Sequence, residues 1–383
     1  MSNAVIAGFV RTPFHFARKG QLIDVRPDDL AAIALRGLLE RTKVDPALIE
    51  DVIMGCAYPE AQQGNNIARI SALLAGLPIT SAGATVNRFC GSSMTSIHYA
   101  AGQIAIGAGE AFICAGVESM TRVPQGGFNF SPNPRFIGPN TPDAEIGMET
   151  YIAMGRTAEN VAARFDVTRK QQEQFAVESQ RKAAAAVVAG RFAAELISVN
   201  TPNGVVDADG CLRPQTSLEG LAALKPAFDG TVTAGTASPL TDGAAAVLVT
   251  SEAFAYAHGL EILARVRAVA VAGCEPEYMG IGPVPATRKA LARAGLSIDD
   301  IDIVEINEAF SSQAIACLRE LKISLEKVNL DGGAIALGHP LGATGARITG
   351  KAAQLLKREG ERLALATQCI GGGQGIATIL ERV

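Results

Sequence analysis

The chain of 383 residues contains no tryptophan, and aromatic side chains make up only 5% of it. Few rings are therefore available on which single-stranded nucleic acid could stack. Charge of one sign is scarce too. Lys and Arg number 34 against 38 Asp and Glu, a net charge of −4, and no Lys/Arg block provides the footprint for duplex binding. No apolar run reaches the ~18–20 residues of a membrane span. The seven cysteines, Cys56, Cys90, Cys114, Cys211, Cys274, Cys317 and Cys369, form no C-x-x-C pair, and the four histidines are scattered. Neither a disulfide framework nor a metal site is expected. Ala4 to Val10, followed by Arg11, does not continue as a signal peptide, so a cytoplasmic chain with mostly buried, inert thiols is expected.

What is present is an apolar chain, 48% hydrophobic with 40 glycines, too long for one ordinary core. It also repeats. The amphipathic run Leu30, Ile33, Ala34, Leu38 leads into the apolar strand that starts near Asp51. Thr287, Ala290, Leu291 and Ala294 lead likewise into the strand near Asp302, and 302 − 51 = 251. Gly109-Glu110-Ala-Phe-Ile-Cys-Ala returns as Gly360-Glu361-Arg-Leu-Ala-Leu-Ala, and 361 − 110 = 251 again. One offset found twice predicts duplicated α/β halves packed in layers. Between them, from about Ser119 to Thr241, lies a Pro-, Gly- and Asn-rich insertion including Phe130-Ser-Pro-Asn-Pro-Arg-Phe. Thr168 is placed there to cap a polar helix.

Chemistry concentrates at glycine-framed corners. Ala84-Thr-Val-Asn-Arg-Phe-Cys90-Gly91 reads as a strand ending at Cys90, followed by a helix with Ile97, Ala100, Ala101 and Ile104 on one face and Gly107 at its end. A helix N-terminus beside the thiol would favour its thiolate, although a small packed thiol at a strand end would look the same. Gly338-His339-Pro340 forms a second corner, read as strand-to-helix. Under the offset Cys90 maps to Leu341, two residues from His339. A third corner, Cys369-Ile-Gly371-Gly-Gly, offers backbone N–H groups to an oxyanion but has neither phosphate-loop nor dinucleotide spacing. Glu305-Ile-Asn307-Glu308 adds an amide and carboxylates at a strand end. Together these residues suit a thiolate that forms a thioester, with a second acid/base moving a proton at carbon or sulfur.

The motifs Asn87-Arg-Phe-Cys90-Gly-Ser-Ser, Asn307-Glu-Ala-Phe310, Gly338-His-Pro-Leu-Gly342 and Cys369-Ile-Gly371 stand in the order of the thiolase family, which the whole chain resembles. The resemblance implies an α/β, duplicated thiolase fold in five αβαβα layers with an inserted loop domain. Its expected parts are an N-terminal half (1–118 plus 242–265), the insertion (119–241) and a C-terminal half (266–383). It implies an acyltransferase that cleaves 3-ketoacyl-CoA with coenzyme A to acyl-CoA and acetyl-CoA, in ping-pong fashion. Cys90 would be the acylated nucleophile, His339 its activator, and Cys369 the acid/base at the acetyl-CoA methyl carbon. Asn307 would hold a water for the enolate, and the N–H groups of Cys90 and Gly371 would form the oxyanion hole of the acyl-enzyme. Coenzyme A and substrate contacts would come from Ser238 (pantetheine), Arg213 (nucleotide end), Met154 (acyl pocket) and Phe310. Coenzyme A would be a substrate, with no cofactor. A homodimer or homotetramer is implied, and a hydratase–dehydrogenase partner is compatible with it.

The Asn87-Arg-Phe form of the nucleophile motif and Met279-Gly-Ile-Gly-Pro-Val-Pro-Ala resemble the degradative branch of fatty-acid β-oxidation. Ala153 stands where the short-chain biosynthetic branch carries His, which weakens an acetoacetyl-CoA reading. A β-ketoadipyl-CoA enzyme would use the same catalytic residues. A ketosynthase-like condensing enzyme would replace Cys369 by a second His or an Asn, and a non-catalytic acyl-CoA carrier would lack one of the set.

Overall fold

A computed structural model describes residues 2–133, 136 and 149–383. Part of the Pro- and Asn-rich stretch of the insertion therefore lies outside the described residues. The N-terminal part runs β1 (Ala4–Arg11), β2 (His15–Phe16), α1 (Pro27–Thr42), β3 (Asp51–Gly55), α2 (Ile67–Leu74), β4 (Ala82–Val86), α3 (Ser92–Ala105) and β5 (Ala111–Ser119). The insertion supplies α4 (Met154–Arg164), α5 (Arg169–Val188), β6 (Val199–Thr201), β7 (Gly204–Val206) and α6 (Leu218–Ala222). Then follow β8 (Thr241–Ser251), α7 (Glu252–Ala257), β9 (Ala264–Gly273), α8 (Pro283–Ala294) and β10 (Ile303–Ile306). The chain ends with α9 (Ser311–Leu321), α10 (Ala334–Leu337), α11 (Leu341–Glu359), β11 (Leu363–Ile370) and β12 (Gln374–Glu381).

The main sheet has the order β10-β11-β12-β9-β1-β8-β5-β3-β4, and its symmetry is the duplication made visible. In one half β3 pairs in parallel with β4 and β5, and β5 runs antiparallel to β8. In the other β10 pairs in parallel with β11 and, by a single bridge, with Val328, while β11 runs antiparallel to β12. The counterpart of β4 has thus shrunk to one bridge. The halves meet where β1 touches β9 through only Val5↔Arg265 and Ile6↔Ala264.

Both faces of these strands are apolar because both are covered. Along β8 the residues Ala244, Ala246 and Leu248 join a core with α1 and α2. The alternate residues Ala245, Val247 and Val249 join a core with α3 and α11 that also reaches β11 and β12. A third core packs α8 and α9 on the outer face of β10, β11, β12 and β9. The sequence is helices, sheet, helices, sheet, helices: the five layers expected. Close approach of the middle helices requires glycine. A Cβ at Gly345 would sit 2.3 Å from Met94 N, and one at Gly116 would sit 2.2 Å from Gly342 O. These contacts draw the start of α11 onto α3 and β5.

Local readings hold in several places. Thr168 caps α5 in a reciprocal box with Gln171, and Gly107 takes a left-handed φ of 72° just past α3. Two readings are corrected. The strand before Cys90 ends at Val86, because residues 87–91 turn sharply, with Asn87 Oδ1 accepting from Phe89 N and Gly91 N donating to Arg88 O. The corner before His339 joins two helices, α10 and α11, not a strand and a helix.

Candidate active site

Cys90 stands one residue outside the N-terminus of α3, held by a turn whose preceding residue, Phe89, has a φ of 44°. Non-glycine residues rarely adopt that conformation, and it persists only where surroundings enforce it. Here Asn87 donates to Ala57 O, Arg88 donates from Nε to Thr95 and from Nη1 to Gln374, and the Ser92 hydroxyl donates to Phe89 O. Gln368, from β11 of the second half, donates to the carbonyl of Cys90.

The second half supplies the facing groups. Gly338, at φ 105°, turns the chain between α10 and α11, and a Cβ there would meet Thr241 at 2.7 Å. His339 N donates to Thr241 Oγ1 at 3.0 Å. The ring is gripped at both nitrogens: Nδ1 lies 2.6 Å from Thr344 Oγ1, and Asn307 Nδ2 lies 3.3 Å from Nε2. An amide N–H can only donate, so Nε2 carries a lone pair and the proton belongs on Nδ1. Asn307 Oδ1 is buried and has no partner among the described residues. Cys369 closes β11, buried, and Gly371 follows where a Cβ would point toward Met154 and Phe89.

These groups line one cavity of about 620 Å³. Its wall includes Cys90, His339, Cys369, Gly371, Ser238, Met154 and Phe310, with Tyr58, Phe89, Met120, Phe130, Tyr151, Met279 and Leu341 supplying apolar surface. No Asp, Glu, Lys or Arg lines it among the described residues. The insertion thus forms part of the cavity wall. Ser238 is strapped to the Asn307 corner, its N and Oγ both donating to Ala309 O, and Leu240 bridges to His339. Asn307 touches His339 and is not itself among the lining residues. Arg213 is not brought into the cavity. It lines an adjoining one of about 230 Å³, its guanidinium 5.0 Å from the Phe16 ring, and Pro239 borders both. A cavity of similar size between α5 and α9 holds neither cysteine nor histidine. Among the described residues no group of His, Cys, Asp or Glu could hold a metal ion, and no helix is long and apolar enough to cross a membrane.

The electrostatics correct one expectation. Burial pushes the Cys90 thiol up to about 12, outweighing hydrogen bonds from the N–H groups of Gly371 and Cys90 that favour its thiolate. The helix N-terminus therefore does not leave a free thiolate at rest. Burial, aided by the Arg347 charge, lowers His339 to about 3, so its ring is neutral and available as a base. Cys369 is pushed well above its ordinary value by burial first, then by Cys90 nearby. The resting site is a neutral thiol–imidazole–thiol set.

Sequence reasoning missed Glu118 at the end of β5. Its carboxylate accepts from Ala57 N (2.8 Å), Gly342 N (2.9 Å), Tyr58 N (3.2 Å) and Gln63 Nε2 (2.9 Å), pinning the Cys90 side of the cavity to the start of α11. The signal was available, for 369 − 251 = 118 places Glu118 opposite Cys369 in the repeat.

Family models of the thiolase N-terminal domain and the thiolase C-terminal domain match residues 4–253 and 260–382. Over 396 aligned residues the chain is 50% identical to the 3-ketoacyl-CoA thiolase of Shewanella sp. strain MR-4, and over 401 it is 49% identical to that of Idiomarina loihiensis; each alignment covers 100% of both chains. The crystal structure of human mitochondrial 3-ketoacyl-CoA thiolase superposes with a TM-score of 0.90 at 38% identity, covering 100% of this chain and 99% of that one. The same human enzyme in complex with CoA gives 0.91 at 38% identity, covering 100% and 98%. With both domains matched in order along nearly its whole length, this chain belongs to the thiolase family.

Proposed function

We propose that the protein is an acyltransferase that cleaves 3-ketoacyl-CoA with coenzyme A, yielding acetyl-CoA and a shortened acyl-CoA, as in fatty-acid β-oxidation. The observation that carries this reading is the convergence of Cys90, His339 and Cys369 on one apolar cavity in a chain half identical to 3-ketoacyl-CoA thiolases.

In this reading Cys90 Sγ attacks the 3-keto carbon as its proton passes to His339 Nε2, which gives up the Asn307 N–H to take it. The carbon–carbon bond breaks, the acetyl-CoA enolate leaves, and its methylene carbon takes the proton of Cys369. The acyl group stays on Cys90. Incoming coenzyme A gives its thiol proton to Cys369, its sulfur attacks the acyl carbon, and Cys90 recovers its proton from His339. Atoms and charge return to their starting point after each cycle. Donors aimed at developing negative charge contribute about 3 kcal/mol each in such sites. The N–H groups of Cys90 and Gly371 are assigned to the acyl-enzyme oxyanion. A water on Asn307, whose buried Oδ1 requires a donor, is assigned with His339 to the enolate. Ser238 is assigned to the pantetheine arm, Phe310 to substrate and coenzyme A contact and Arg213 to the nucleotide end, with coenzyme A as substrate and no cofactor needed.

The cavity wall favours an unsubstituted acyl chain. A β-ketoadipyl group would bury its distal carboxylate without a cation among the described residues, a costly arrangement. Ala153 and the apolar lining of a cavity of about 620 Å³ argue against restriction to acetoacetyl-CoA. We also read the protein as a cytoplasmic homo-oligomer. The outer edge of β4 has no strand partner among the described residues, and exposed Leu73, Leu74 and Ile79 lie near it. The test of function is the loss of 3-ketoacyl-CoA absorbance. A loss that requires added coenzyme A supports thiolysis; carbon dioxide released from a malonyl donor would instead mark a condensing enzyme.

A further inference from the structure

One face of α11 is polar through two buried turns. Thr344, Arg347 and Lys351 recur at the spacing of a single helix face, and all three are buried. Thr344 meets His339 Nδ1, Arg347 Nη1 donates to Glu305 Oε2 at 3.0 Å, and Lys351 Nζ pairs with Glu195 at 2.9 Å and Asp331 at 2.7 Å. Across from it, Glu305 and Asn307 stand two residues apart at the end of β10, on one side of the strand. Glu305 takes Arg347, and Asn307 takes the other nitrogen of His339. The imidazole is thus held by side chains from two elements whose next contact inward is a buried ion pair.

Stability does not explain that pair. A buried ion pair is often no more stable than apolar residues of the same volume, and this one is poorly satisfied. Arg347 Nε and Nη2 and Glu305 Oε1 have no partner among the described residues. The guanidinium charge is therefore incompletely met where it stands.

We propose that Glu305 and Arg347 are positioning residues for His339: the pair locks α11 to the end of β10 so that Thr344 and Asn307 hold the ring in place. This inference rests on His339 being the group that receives the Cys90 proton. When Sγ bonds to the acyl carbon, its proton sits on Nε2; when coenzyme A takes the acyl group, that proton returns to Sγ.

The test measures alkylation of Cys90 by iodoacetamide at neutral pH beside single-turnover acylation and deacylation, in the full chain. Removing both partners, as Glu305→Gln with Arg347→Met, leaves no lone buried charge. By freeing α11 from β10 it should slow both alkylation and deacylation by about tenfold, while leaving KM for coenzyme A unchanged. Glu305→Gln alone weakens the hold on Arg347 and should slow alkylation by less, which keeps the test alive if the double variant does not fold. Arg347→Lys keeps the charge and should retain the wild-type alkylation rate. Wild-type alkylation in both the double variant and Glu305→Gln would overturn the proposal, whatever their melting temperatures. His339→Gln separates this from the parent reading: wild-type alkylation in that variant would refute His339 as the proton acceptor itself.

Discussion

At the ends of β3 and β5 the first half of the chain places Cys56 and Glu118. At the matching ends of β10 and β11 the second half places Asn307 and Cys369. The match is structural as well as arithmetical: Gly55 pairs with Gly116 and Ile306 with Thr367, each pair 251 residues from its counterpart. In the first half the two side chains turn on each other, Cys56 Sγ lying 3.7 Å from Glu118 Oε1, and Glu118 spends its remaining capacity on backbone and Gln63 donors. In the second half Cys369 is at the cavity and Asn307 is on His339. Duplication thus gave two equivalent strand-end corners. One became scaffold, and the other was left free to hold reactive groups.

That contrast can be broken by exchanging which corner is damaged. Cys369→Ala should lower the rate of carbon–carbon cleavage by about 10³-fold, the scale of a lost general acid/base, with little change in melting temperature. Glu118→Gln should do the reverse. It places an NH₂ against N–H donors in a dry site, costing about 2–3 kcal/mol of stability, seen as a lower Tm, while turnover suffers far less. Equal kinetic damage from both would end the division of labour between the corners.

A smaller difference separates the other pair. Asn307→Ala should reduce kcat by about 10²-fold, as for a lost oxyanion donor. Cys56→Ala should cost only about 1 kcal/mol of packing and leave steady-state kinetics close to wild type. The comparison is sharpest if substrate KM is unchanged in both.

A separate effect is on pH-dependent stability. His339 is depressed from 6.5 to about 3 in the folded chain, so the unfolded chain binds the proton first. Stability from this group is present above about pH 6.5 and is lost as pH falls through the window down to 3. At pH 5 the loss is about 2 kcal/mol. Thermal denaturation of His339→Gln should therefore show a shallower decline in Tm from pH 7 to 5 than wild type. A parallel decline would mean that the ring is not held neutral.

Much of this was legible in the sequence because the chemistry sits on local signals. The glycine frames of Cys90, His339 and Cys369, and the offset that sets Cys90 beside Leu341, located the three reactive groups before any fold was known. What failed were properties conferred by the other half. The sequence pattern carries the strand past Val86 to Cys90 because residues 87–89 contain no glycine or proline, and the turn depends on Asn87, Ser92 and Ala57 contacts. The apolar run before His339 was read as a strand, although residues 334–337 form one helical turn under α5. A helix terminus favours the Cys90 thiolate, but burial outweighs it. The Glu305–Arg347 pair has no local signal because its partners lie 42 residues apart, whereas Glu118 is marked only by its place opposite Cys369 in the repeat.

The central claim is that Cys90 carries the acyl group while Cys369 only moves protons. It is tested most directly by incubating Cys369→Ala with an acyl-CoA and mapping the covalent adduct by mass spectrometry. The adduct should appear on the Cys90 peptide, as in wild type, although this variant cannot complete carbon–carbon exchange; no adduct, or one placed on another cysteine, would contradict the assignment.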